Sequence, residues 1–141
     1  MSNKINMSFF KAYIDLDKTC AEQLGVDRNG VTAYINSLVE LRFAPDRSEV
    51  LPRLIKYRKM RNIIAHEDGA IDELDELTKD DVKWLTHFAK SVSTKRDPIS
   101  RYEQKARRYS IWKKVRVILI ILLGIVIVAC GFFVLNTLGI I

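Results

Sequence analysis

Apolar residues recur at Ile5, Phe9, Tyr13, Leu16, Cys20 and Leu24, in steps of three and four that place them on one helical face. Gly25 stops that helix, and Asp27-Arg28-Asn29-Gly30 reads as a turn. A second helix is predicted from Val31 or Thr32 to about Phe43, with Val31, Ile35 and Leu38 on one face and Ala44-Pro45-Asp46 ending it. A third runs to His66. Asp46 with Glu49 three residues on has the form of a capping box, but Pro52 is comfortable only in a first turn. The pattern therefore predicts either a short first turn with a kink or a start near Leu51. Leu54, Tyr57, Arg61 and Ile64 make one stripe of this helix, and Ile55, Asn62 and His66 make a neighbouring one.

Glu67 to Leu77 is acidic and irregular, with Ile71, Leu74 and Leu77 as its attachments to a core. Thr78 with Asp81 is a second capping signal, opening a helix whose buried face is Val82, Leu85, Phe88 or Ala89, and Val92. Ser93 to Arg96 is a polar break, and Asp97-Pro98 is an N-cap followed by proline at the first helical position. No breaker occurs from Ile99 to Leu123, so one long helix is expected. There is no alternating strand pattern, internal repeat or low-complexity segment. The expected fold class is all-α: a small bundle of about four helices followed by a long juxtamembrane-to-transmembrane helix. In domain terms this gives a helical domain over residues 1–97, a basic juxtamembrane helix over 98–116, a transmembrane helix over 117–138 and a short end at 139–141.

Charge sharpens the division. Met1 to Ser100 carries 16 Lys/Arg and 16 Asp/Glu, a balance of zero. The net charge of +6 belongs to Arg101–Arg116, where Arg101, Lys105, Arg107, Arg108, Lys113, Lys114 and Arg116 face one acid, Glu103. The basic pI is thus no argument for nucleic-acid binding by the whole protein. Val117–Ile141 has no charge, and about 20 apolar residues span a bilayer core. Tyr109 and Trp112 stand where amphipathic aromatics prefer the interface, and the basic collar suits anionic lipid headgroups better than an RNA-binding arm. The collar also predicts a single-pass, tail-anchored protein with its N-terminal domain in the cytoplasm. Cys20 and Cys130 fall in different regions and offer no zinc spacing. Gly124 and Gly131 share a helix side, a weak signal for close approach of two spans. One span without charges excludes a transporter or channel path.

The chemistry concentrates in Tyr57-Arg58-Lys59-Met60-Arg61-Asn62-Ile63-Ile64-Ala65-His66-Glu67. An arginine, a polar residue directly after it, and a histidine four to six positions later near a helix end together resemble the HEPN superfamily. The resemblance covers about Ile5 to Val92, and within it the chain is most similar to small, uncharacterised bacterial membrane-anchored members. It implies an all-helical, often dimeric domain, in many members a metal-independent endoribonuclease needing no cofactor. Arg61, Asn62 and His66 are then the catalytic candidates, with Arg58 and Lys59 as contacts to an RNA backbone and a toxin or defence effector as the role.

The residue types suit that chemistry. Histidine is fit to take the proton from a 2′-hydroxyl, and arginine to neutralise charge building on phosphorus. Asn62 and His66 share a helix face. Arg61 lies about 140° round an ideal helix from His66, so one copy does not aim both groups at one point unless the helix ends or bends at Ala65; the resemblance implies the family's solution, a homodimer that brings two motifs into one cleft. The residues leave an alternative open: a non-enzymatic dimerisation, adaptor or sensor module at the membrane with a protein partner. In that reading Arg61 pairs with Glu67 or Asp68, and His66 serves the negative end of the helix. His87 has no arginine four to six positions before it and is assigned no role.

Overall fold

A computed structural model describes residues 2–67, 69 and 74–139. Among them are five helices and no strand: α1 (Ser2–Leu24), α2 (Gly30–Glu40), α3 (Arg47–His66), α4 (Lys79–Ser93) and α5 (Pro98–Thr137). The chain is all-α, a small bundle followed by a long apolar helix, and it divides into two compact units, Met1–Tyr102 and Glu103–Ile141. Ile71 and Asp68, each given a part above, lie outside the described residues.

In the first unit α1 is the central element, packing most closely on α4 and α2. Phe9, Tyr13, Leu16 and Cys20 are buried along it at the spacing read from the sequence. Asn6 is buried with them and donates to the Leu74 carbonyl at 2.8 Å, which ties the acidic connection to the start of α1. Gly25 takes φ +66, and the Val26 N–H reaches back to the Ala21 carbonyl at 3.0 Å, the six-to-one bond of a Schellman stop. An aromatic string crosses the bundle. Phe9 meets Tyr57 edge-on at 5.5 Å, Tyr57 meets Trp84 at 5.5 Å, Trp84 stacks on Phe88 at 4.9 Å, and Phe88 meets Tyr34 at 5.6 Å. It links α1, α3, α4 and α2, each contact adding about 0.5–1.5 kcal/mol beyond area burial.

Two boundaries differ from expectation. α2 ends at Glu40 rather than Phe43: the Leu41 N–H still bonds Ser37, but Ala44 turns back to Leu41, leaving Phe43 87% exposed. α3 starts at Arg47 and runs through Pro52. The Asp46–Glu49 box does not form. Asp46 sits at φ +58 without a side-chain cap, its backbone carbonyl takes the Glu49 and Val50 N–H groups, and its carboxylate pairs with Arg101 at 2.6 Å. A cation from another helix has outcompeted the local cap.

The other start signals operate as read. Thr78 and Asp81 form a reciprocal capping box on α4. Asp97 caps α5: its carboxylate accepts the Ser100 N–H at 3.2 Å, with Pro98 at the first position. Asp97, Ile99 and Ser100 are 1%, 2% and 5% exposed, so the root of α5 belongs to the core of the bundle. Tyr34 donates to Asp97 at 2.7 Å, and Gln23 donates to Ser100 Oγ at 2.9 Å. Burial and the Asp97 carboxylate push the Tyr34 hydroxyl far above the usual phenol range.

In the second unit α5 continues to Thr137, exposed along its whole length. It is the one helix among the described residues long and apolar enough to cross a bilayer.

Candidate functional site

Arg61 is half-buried on α3, on the stripe it shares with Leu54, Tyr57 and Ile64. Its guanidinium lies 6.0 Å from the Phe10 ring centroid of α1, and Nη1 donates to Asn62 Oδ1 at 3.2 Å. Both contacts fix its direction. Its Nε is buried with no hydrogen-bond partner among the described residues. A buried guanidinium N–H left unpaired is costly, and this one is closed off from solvent.

Arg61 opens on a cleft of ≈ 530 Å³. Arg58, Arg61 and Asn62 line it from α3, Tyr13, Ile14 and Asp17 from α1, and Asn29 and Thr32 from the start of α2. Asp17 is positioned by a second duty: its Oδ1 accepts the Val31 N–H at 2.8 Å and thereby caps α2 across the helix junction. Asn29, the residue before α2, stands at φ +56 and makes no side-chain cap bond, so Asp17 supplies what Asn29 does not. Burial and the Asp17 charge push the Tyr13 hydroxyl well above the usual phenol range, against the pull of Arg61 and Arg58. The cleft carries two cations to one carboxylate.

The structure thus brings three of the sequence candidates together, Arg58, Arg61 and Asn62. Lys59 is exposed on α3 and does not line the cleft. His66, the last residue of α3, is exposed and also lies outside the cleft lining. The helix is regular through Ala65, so the angle between Arg61 and His66 expected of an ideal helix is kept. Ion pairs among the described residues are Lys83–Asp80 and Arg101–Asp46, so Arg61 is not neutralised by Glu67; Asp68 is outside the description.

Sequence reading missed Tyr13, Asp17, Asn29 and Thr32. Tyr13 and Asp17 are four apart on α1, a signal available in principle, but only the packing of α1, α2 and α3 brings them to the arginines. His87 is exposed on α4. Cys20 is buried, and burial, with Asp17 and Asp97 adding, pushes its thiol far above the ordinary range, which suits a core residue rather than a nucleophile.

The collar residues sit on α5. Arg101 is part of the first unit and pairs with Asp46. Lys105, Arg107, Arg108, Lys113, Lys114 and Arg116 are exposed in the second unit, with Tyr109 and Trp112 exposed at 75% and 73%. No curated protein and no solved structure matches the chain significantly. A family profile does match, from residue 7 to residue 118, a span that takes in α1 from its second turn, the other three bundle helices, the arginine cleft, His66 and the collar. The chain belongs to the DUF6548 family, a family of unknown function.

Proposed function

We propose that this is a single-pass protein of a bacterial cell membrane whose cytoplasmic bundle acts, as a homodimer, as a metal-independent endoribonuclease of HEPN type, in the role of a toxin or defence effector. The observation that carries the reading is Arg61: held by Phe10 and Asn62, and lining a cleft together with Arg58. Such a group suits a phosphodiester, which supplies acceptor oxygens to both arginines. His66 stands outside that cleft, so the base reaches the scissile phosphate from a second copy. The collar and span hold the bundle at the inner membrane face, where the positive residues favour the cytoplasmic side.

Purified full-length protein in detergent micelles is expected to shorten mixed RNA in the presence of a chelator, and His66→Ala to lower the rate at least 100-fold. Equal products from both proteins, or none from either when the protein is dimeric, overturns the reading.

A second reading is a non-enzymatic dimerising module that recruits a protein partner at the membrane. The position of His66, exposed and apart from the arginines, favours it. It requires a stable dimer without RNA cleavage, which the same preparation tests by light scattering.

A further inference from the structure

The cleft is bipolar. Arg58 and Arg61 offer cations from α3, while Asp17, Asn29 and Thr32 offer a carboxylate, an amide and a hydroxyl from α1 and the start of α2. Asp17 uses Oδ1 on the Val31 N–H at 2.8 Å, and its other oxygen has no partner among the described residues. Asn29 spends no side-chain hydrogen bond on capping α2. Arg61 Nε is buried and lacks an acceptor. The site therefore sets the Arg58 and Arg61 side chains against groups able to accept N–H bonds, inside one cleft of one copy. Its volume of ≈ 530 Å³ falls within the range of about 300–1,000 Å³ of small-ligand sites.

A nucleotide bearing an amino-substituted base meets both demands. Its phosphate answers the guanidiniums, and its exocyclic amino group, joined in guanine by the N1–H, answers a carboxylate, the pairing that reads cytosine through its N4 amino group. Uracil fits poorly, because it flanks its one ring N–H with two carbonyl oxygens that a carboxylate repels. We propose that the cleft is a nucleotide subsite: phosphate rests on Arg58 and Arg61, and Asp17, assisted by Asn29 and Thr32, selects cytosine, guanine or adenine against uracil. This rests on the RNA reading above and adds to it the residues that determine base preference. Asp17 carries two tasks in it, the α2 cap through one oxygen and the base through the other.

The test is binding of CMP, GMP, AMP, UMP and inorganic phosphate to the full-length protein in micelles, by calorimetry. CMP, GMP and AMP are expected to bind about fivefold or more tightly than UMP, and phosphate more weakly than any nucleotide. Asp17→Asn keeps an oxygen for the Val31 N–H and turns the free oxygen into a donor, so it should abolish or reverse that ratio. Asn29→Gly, which accepts the positive φ, should reduce the ratio. The wild-type ratio decides the matter even if a variant fails to fold. Equal affinity for all four nucleotides overturns the base subsite and leaves the ribonuclease reading intact. RNA cleavage without nucleotide or phosphate binding at the cleft overturns the site itself. Base-selective binding without cleavage upholds the subsite and removes the nuclease reading.

Discussion

Gly30 shows how a single residue sets the geometry of the cleft. A Cβ built there would overlap the Asp17 carbonyl and the Ala21 backbone, and helical backbone cannot yield as a flexible side chain would. The contact lets α2 begin directly against α1, close enough for Asp17 to cap it. Gly30→Ala is expected to destabilise the bundle by about 3 kcal/mol, the upper end of overpacking costs, seen as a lower midpoint in thermal unfolding followed by circular dichroism. In the sequence this glycine reads only as part of a turn, since the backbone atoms that leave no room for a side chain belong to Asp17 and Ala21, thirteen and nine residues earlier in α1. The same holds for Asp17 and Asn29. Their roles depend on which helix lies alongside, which no spacing within one helix encodes. Arg61, Asn62 and Arg58 were legible because they sit together on one element.

At the level of elements, local chemistry decides where a helix begins unless a distant charge intervenes. Thr78 and Asp81 are a local case with an added partner, because Tyr57 also donates to Asp81 at 2.7 Å. Burial would raise the Asp81 pKa, but the bonds from Tyr57 and from the Thr78 hydroxyl and backbone N–H outweigh it and hold it below the usual carboxylate value. A lowered folded-state pKa means stability that is present above the unfolded value of about 3.9 and is lost as pH falls through the folded one. Wild type is expected to exceed Asp81→Asn by about 1 kcal/mol near pH 7, with the gap closing below about pH 4 in denaturant titrations. Asp46 is the opposite case. Its pairing with Arg101, far along the chain, leaves α3 without the box its sequence suggests. The stops at Gly25 and the start at Asp97-Pro98 were legible for the same reason that the Thr78 box was: donor and acceptor lie within six residues of each other.

For the molecule as a whole, the separation of charge is the feature with the widest reach. A neutral bundle precedes a segment that holds the entire positive balance, and then an apolar stretch of about bilayer length. Lys113, Lys114 and Arg116 lie closest to that stretch and should weigh most in its orientation. On the proposed cytoplasmic orientation of the bundle, replacing all three with Gln is expected to divert a substantial fraction of molecules to the opposite one. Protease added outside intact spheroplasts should then digest a bundle that it spares in wild type. The root of α5 has a further consequence, for modularity. Ile99 and Ser100 fill the core, and Asp97 holds Tyr34 through a buried bond, so the first turn of α5 belongs to the bundle unit, which runs to Tyr102. A fragment cut at residue 97 would lose part of its own interior and expose an aspartate stripped of the turn it caps. Grafting this bundle onto another anchor, or releasing it as a soluble unit, therefore calls for a splice beyond Tyr102.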